Sequence, residues 1–282
     1  MPSDPIASRR RRIVAESPRV DVLTPWLGAL HTRHVAPYRP QEFTRALRAL
    51  SARYVERRSE LAGRSALDSA GKRSAFAAFY APLHYLTIRE IVRALPEVAR
   101  EVAHITDLGC GTGVGAAAWQ DARENSRPRV QVVGIDQNQW ALDEAKWNWQ
   151  QLGVDGRAKR ADLIAEIPPA HPARPAPPAP PALLLAWSIN ELPRHAQAQL
   201  LPLLIAFARE RGHVLIVEPL ARGAAPWWDG WASAFTKIGG RADEWKFRVE
   251  LPPMLKELSA RAGFQRDYLG ARSMWAVPAT GR

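Results

Sequence analysis

A single cysteine, Cys110, occurs in 282 residues. No intrachain disulfide and no cysteine-clustered metal site can therefore be built. Acidic residues are also scarce: 28 Asp and Glu stand against 39 Lys and Arg, a formal charge of +11. No apolar run approaches the ~18 to 20 residues that a bilayer-spanning helix needs. The first residues are polar and Arg-rich without an apolar stretch, so no secretory signal is expected, and Asp4, Glu16 and Asp21 count against a transit peptide. A cytoplasmic protein without membrane contact is the resulting expectation.

Other residues are abundant. There are 24 prolines and 11 tryptophans. The stretch from Pro168 to Pro181 is low in complexity and cannot form a helix or inner strand, because proline lacks the amide donor. It is expected to be an extended connection. Pro226-Trp-Trp-Asp-Gly-Trp231 lies within an expected insertion over 220–248, whose aromatic faces could stack a ring or cover the core. Arg241 to Arg248 mixes charge and aromatics as a substrate loop might, or as an exposed strand would.

The basicity is not evenly spread. Residues 1–100 hold 18 Lys and Arg against 9 Asp and Glu, net +9, while the remainder is near balance. Helical patterns at about 41–62 and 72–95 would present Arg45, Arg48, Arg53, Arg57, Arg58, Arg64, Lys72, Arg73, Arg89 and Arg93 to a polyanion or to solvent. Arg9 to Arg12 could form a flexible arm on phosphate. This is the electrostatic footprint of a nucleic-acid binder, though a GC-rich coding sequence would produce the same arginines. The expected organisation is a basic tail and lead-in over 1–38, a helical segment over 39–100 and a cofactor-binding domain over 101–282.

Within that domain, Ile105-Thr-Asp-Leu-Gly-Cys-Gly-Thr-Gly-Val-Gly115 reads as an apolar strand carrying an acid, a glycine loop and the start of a helix. Gly109, Gly111 and Gly113 let the backbone turn sharply and approach a ligand closely, with Cys110 between them. The glycines also satisfy a relaxed dinucleotide fingerprint. Asp107 separates the two readings, since an acid at the strand end repels a pyrophosphate and attracts a cationic amino group. Asp-x-Gly-x-Gly-x-Gly resembles motif I of the class I S-adenosyl-L-methionine (AdoMet) methyltransferases, whose cofactor carries an ammonium and a sulfonium and no phosphate.

The flanking segments suit that resemblance. Val130 to Asp136 is a second apolar strand ending in an acid at roughly the ~20-residue offset of a ribose-binding carboxylate, with Gln137 following. Asp136 could alternatively cap the helix that begins near Asn138. Arg157 to Leu163 resembles the third strand, after which Asp162 and Leu163 would approach the adenine. Ala182 to Pro193 reads as a continuous apolar strand, ending in polar residues, of the kind buried on both faces in parallel sheets. Trp187, Ser188, Asn190 and Glu191 lie towards its carboxyl end, where topology puts a ligand and, here, the methyl group. Further strands are expected at Gly212 to Pro219 and in a terminal pair, Phe264 to Leu269 with Ser273 to Val277. The fold class expected is α/β, a Rossmann-like seven-stranded class I methyltransferase sheet with an N-terminal helical extension.

Chemistry follows from the resemblance. Direct transfer needs only alignment and exclusion of water, with Glu191 as base and Asn190 as hydrogen-bond positioner. Methylation of base carbon through a thiolate is disfavoured, because Cys110 lies in the cofactor loop. Tyr80, His84 and Tyr85 could form a lid from the preceding helix. Leu50-Ser-Ala-Arg-Tyr54, Asn190-Glu-Leu-Pro193 and Val217-Glu-Pro219 resemble the methyltransferase-like small-ribosomal-subunit assembly family, known from mitochondria and with bacterial relatives. That resemblance implies RNA or the small ribosomal subunit as partner. Its mitochondrial members carry a cysteine-bound iron-sulfur cluster, for which this chain lacks the cysteines. Three classes stay open: an RNA methyltransferase, a small-molecule or protein methyltransferase, and a non-catalytic AdoMet-binding assembly factor.

Overall fold

A computed structural model describes residues 21–56, 67–96, 99, 101–123, 129–169, 179–221, 223, 225–264 and 268–278. Seven strands form one sheet: β1 (His104–Leu108), β2 (Gln131–Asp136), β3 (Asp155–Arg160), β4 (Pro181–Ala186), β5 (His213–Glu218), β6 (Arg241–Phe247) and β7 (Leu269–Ala276). Their order is β3-β2-β1-β4-β5-β7-β6. The first five are parallel, whereas β7 runs antiparallel to both neighbours. Strand order reverses between β1 and β4, which opens a crevice beyond their carboxyl ends. The apolar runs of β4 and β5 reflect burial on both faces, with every residue of β5 buried.

Nine helices are described: α1 (Leu23–Leu30), α2 (Pro40–Glu56), α3 (Ala70–Ala75), α4 (Ala81–Ala94), α5 (Val114–Ala122), α6 (Gln139–Leu152), α7 (Arg194–Glu210), α8 (Trp228–Lys237) and α9 (Pro253–Ala262). A π-helical turn, Phe76–Tyr80, joins α3 to α4, and another, His31–Val35, extends α1. Such turns shift the facing of all later residues and recur at functional sites. The helix expected near 138 is capped by Asn138, whose side chain accepts from Ala141 N. Asp136 is therefore free of that duty.

One expectation is corrected. The terminal strand pair is β6 with β7, because Trp245 and Phe247 alternate inward with period two, whereas Phe264 stacks on Phe79 at 6.0 Å between centroids. Of the two readings of the tryptophans after β5, Trp228 and Trp231 of α8 follow the core one, buried beside α7 with Leu200, Phe207 and Phe235. The lead-in before 39 contains α1, with Trp26, Leu27 and Leu30 buried. These residues share a continuous core with α2, α4, α5 and the sheet, so the preface packs onto the domain.

Candidate active site

The loop after β1 is built around glycine. Gly109, Gly111 and Gly113 have φ of 74°, 51° and 74°, a region costly for residues with a Cβ. A Cβ on Gly109 would fall 2.5 Å from Ser188 Cβ, and one on Gly113 would fall 2.7 Å from Trp149 Nε1. At Gly111 nothing lies within 4 Å, so that face is open to a ligand. The amides of Gly109 and Cys110 donate to Ile135 O, Gly113 N donates to Cys110 O, and Gly111 N donates to an Asp136 carboxylate oxygen at 2.9 Å. These four amides are therefore engaged within the protein.

Two carboxylates flank the loop. Asp107 is buried, and its Oδ2 accepts from Ala116 N in the first turn of α5 at 3.3 Å. Burial pushes its carboxyl up to about 7; the Ala116 amide opposes this, and the Asp136 charge adds to it. A cationic ligand group would relieve that cost. Asp136 accepts from Gly111 N through Oδ2 and from Asn138 N at 2.8 Å through Oδ1. A carboxylate has about four lone-pair sites, so these two bonds leave capacity for a ribose diol.

On the adenine side, Asp162 is exposed and its Oδ1 accepts from Ile164 N at 2.8 Å, which shapes the turn after β3. The Leu163 side chain lies 3.8 Å from the place a Gly109 Cβ would occupy, beside the loop. Gln137 is exposed, and its carbonyl accepts from Arg160 Nε. Cys110 packs on Gly134, where a Cβ would meet its sulfur at 2.8 Å. Burial first, then the Asp107 and Asp136 charges, push its thiol well up, so it is a packing residue and no nucleophile.

Beyond β4, the structure divides the expected methyl-proximal residues. Ser188 is buried and donates to Leu108 O at 3.0 Å, supporting the loop from beneath. Asn190 lies in a 3-10 turn, Ile189–Glu191; its amide donates to Glu218 Oε2 at 2.7 Å and its oxygen accepts from Trp227 Nε1 at 2.8 Å. Glu191 is exposed at the mouth of the crevice. Crowding by protein, then the Asp136 carboxylate, push its carboxyl up to about 7, with water that reaches the side chain screening part of the effect. Trp187 has φ 55°, the sole non-glycine residue with positive φ among those described. For a bulky side chain this costs on the order of 1–2 kcal/mol. Its ring lies flat on His84, 3.8 Å between centroids and 9° between planes.

The aromatic lid is accordingly redistributed. Tyr80 donates to Ser51 Oγ at 3.0 Å and ties the π-helical turn before α4 to α2, while Tyr85 is core and packs on Trp26. His84 reaches the β4 end through its stack on Trp187. Several arginines assigned to a polyanion surface are also engaged: Arg89 and Arg93 pair with Glu90 and Asp121, Lys72 with Asp68, and Arg48 donates to Arg261 O. Arg73 lies against the Trp140 ring. Arg57, Arg58, Arg64, Arg9 to Arg12 and the side chain of Arg53 fall outside the described residues.

Sequence reasoning missed the supports of the loop. Trp149 Nε1 donates to Gly113 O, and Asn148 bridges Trp26 Nε1 to Thr112 O. The ring of Trp149 fills space that a Cβ on Gly134 or Gly156 would occupy, at 2.7 and 2.6 Å. Isolated glycines inside two adjacent strands were the available signal. Among the described residues no cluster of three His, Cys, Asp or Glu side chains is arranged to hold a metal ion, and no helix is long and apolar enough to cross a membrane.

Sheet order and the antiparallel last strand give a Rossmann-like α/β fold, with the acid-glycine loop at the carboxyl end of β1. Residues 89–172, which carry the loop and the first three strands, match the family model of the methyltransferase small domain. No curated protein matches the chain. Among solved structures, it is similar to a ribosomal protein L11 methylase from Lactobacillus delbrueckii subsp. bulgaricus at 16% identity and TM-score 0.38, covering 70% of this chain and 78% of that one. An O-methyltransferase family protein from Burkholderia thailandensis gives 13% identity and TM-score 0.48, covering 79% and 63%. An O-methyltransferase from neocarzinostatin biosynthesis, in complex with S-adenosyl-L-homocysteine and 1,4-dihydroxy-2-naphthoic acid, gives 14% and 0.46, covering 83% and 68%.

Proposed function

We propose that the protein transfers a methyl group directly from AdoMet to a nitrogen or oxygen of an acceptor bound beyond β4, with RNA, including ribosomal RNA, as the acceptor class. AdoMet supplies an electrophilic methyl group and its own leaving group. The observation that carries the reading is the Asp136 carboxylate, hydrogen-bonded to Gly111 N across an open loop face, with acceptor capacity left for a diol. Asp107 would hold the cofactor ammonium, Gly109 to Gly113 its methionine portion, and Asp162 and Leu163 the adenine. Glu191 takes a proton from the acceptor, and the turn that carries Asn190 keeps Glu191 at the mouth. Support for RNA is the net charge of +9 in the first 100 residues. The ion pairs of Arg89 and Arg93 favour the second reading, a small-molecule acceptor, since they remove cations from the expected surface.

Calorimetric titration with AdoMet, using NAD as control, tests the cofactor assignment. Micromolar AdoMet binding without NAD binding is expected. A tritiated-methyl assay over total RNA then separates the acceptors, and binding to RNA should fall steeply with salt. Label transfer to small metabolites alone would select the second reading.

A further inference from the structure

Resting on the methyltransferase reading, we propose that the acceptor site receives a planar aromatic or heteroaromatic ring, bounded by the His84–Trp187 stack on one side and the Trp227–Asn190 pair on the other.

Three observations carry this. Trp187 holds a backbone conformation that bulky residues avoid, while its N–H still donates to Val217 O at 2.9 Å. The ladder with β5 thus runs on to this residue as the side chain is redirected. Strain of this kind persists where surrounding structure holds it, and it gathers at ligand sites. Secondly, the redirected indole lies parallel to the His84 imidazole, so its plane is set before any ligand arrives. The π-helical turn Phe76–Tyr80 sets the facing of α4 that brings His84 there.

The third observation concerns the opposite wall. Trp227 is half-buried, packed on Trp231 at 4.7 Å between centroids, and its indole N–H is fixed by Asn190, which Glu218 holds in turn. Trp187 packs against the core beneath α4, and Trp227 against the core beneath α7 and α8. The two indoles therefore flank the carboxyl end of β4 from the two sides of the sheet. Flat, pre-oriented rings favour a flat partner, because stacking needs little further ordering. Glu191, in the intervening turn, is available to a ring N–H or O–H.

The test uses full-length protein saturated with S-adenosyl-L-homocysteine, titrated with adenosine, with 2-naphthol, with the non-aromatic decahydro-2-naphthol and with a mixed-sequence single-stranded RNA. At least one aromatic probe or the RNA should bind, with the decahydro compound at least ten-fold weaker than 2-naphthol where 2-naphthol binds. His84→Ala and Trp187→Gly should each lose at least ten-fold, the glycine being compatible with the backbone it inherits. His84→Phe, which restores a stacking ring, should stay within about three-fold. RNA binding alone would assign the ring to a base within a polynucleotide; binding of adenosine or 2-naphthol would assign it to a small molecule. Homocysteine-product binding with no ring or RNA binding, or undiminished binding by both His84→Ala and Trp187→Gly, would overturn this inference alone. Absence of S-adenosyl-L-homocysteine binding would overturn the cofactor reading and this inference with it.

Discussion

The indole N–H of Trp149 donates to the carbonyl of Gly113 at 2.8 Å, so the last glycine of the cofactor loop is held from the C-terminal half of α6. The same ring occupies the space left by Gly134 and Gly156. Trp149→Phe removes the donor and leaves a buried carbonyl without it, at a cost of about 1–3 kcal/mol. A lower thermal midpoint and weaker AdoMet binding are expected together. Loss of stability with unchanged affinity would show that the bond supports the fold alone.

Asp136→Ala removes the acceptor for Gly111 N and Asn138 N as well as the proposed ribose contact. Helix α6 keeps its Asn138 cap, so circular dichroism should be unchanged. AdoMet affinity should fall by about ten-fold or more, the order of one lost charge-assisted hydrogen bond. Unchanged affinity would remove Asp136 from the cofactor site.

Asp107 gives a pH dependence with a definite sign. Its folded carboxyl, pushed up to about 7 by burial, lies above the ordinary aspartate value of 3.8, so between those values the folded protein holds a proton that the unfolded chain has released. This group's contribution to stability therefore falls as pH rises from about 4 to 7, by at most about 4 kcal/mol. A cation beside the ionised acid reverses the preference, and AdoMet should bind more tightly at pH 8 than at pH 6. Asp107→Asn should flatten that binding profile and raise the apo thermal midpoint at pH 8.

His213 acts in the other direction. It is buried at the start of β5 with its ring edge-on to Trp275, Nδ1 makes no hydrogen bond, and burial lowers its pKa from 6.5 to about 4. Between those values the unfolded chain takes up a proton that the folded protein refuses. Stability is lost as pH falls from about 6.5 to 4, by about 3 kcal/mol. His213→Phe should reduce that loss, as followed by denaturant unfolding at pH 7 and pH 4.5.

The glycine loop after β1 was legible because its signal is local. Glycine at 109 and 113 is demanded by positive φ and close packing, and both demands act within a few residues of an apolar strand. The position of Asp136 beside that loop was legible for a similar reason, since the end of an apolar strand marks it. The β6 strand was less so: Arg241 to Phe247 carries four charged residues among seven, and only Trp245 and Phe247 betray the inward face. Tyr80 and Tyr85 could not be separated from His84, because three aromatics on one helix differ only in which neighbours they meet.

By itself, the sequence determined the α/β architecture, the parallel strands and the glycine loop after β1 with its preceding acid, because periodicity, glycine and buried acids act over short stretches of chain. Tertiary structure alone decided that Ser188 supports the loop while Trp187 meets His84, that Asn190 is shared by Glu218 and Trp227, and that Arg89 and Arg93 are spent on acids. Those relations join residues far apart in the chain. They depend on strand order and helix facing, which sheet closure and core packing set.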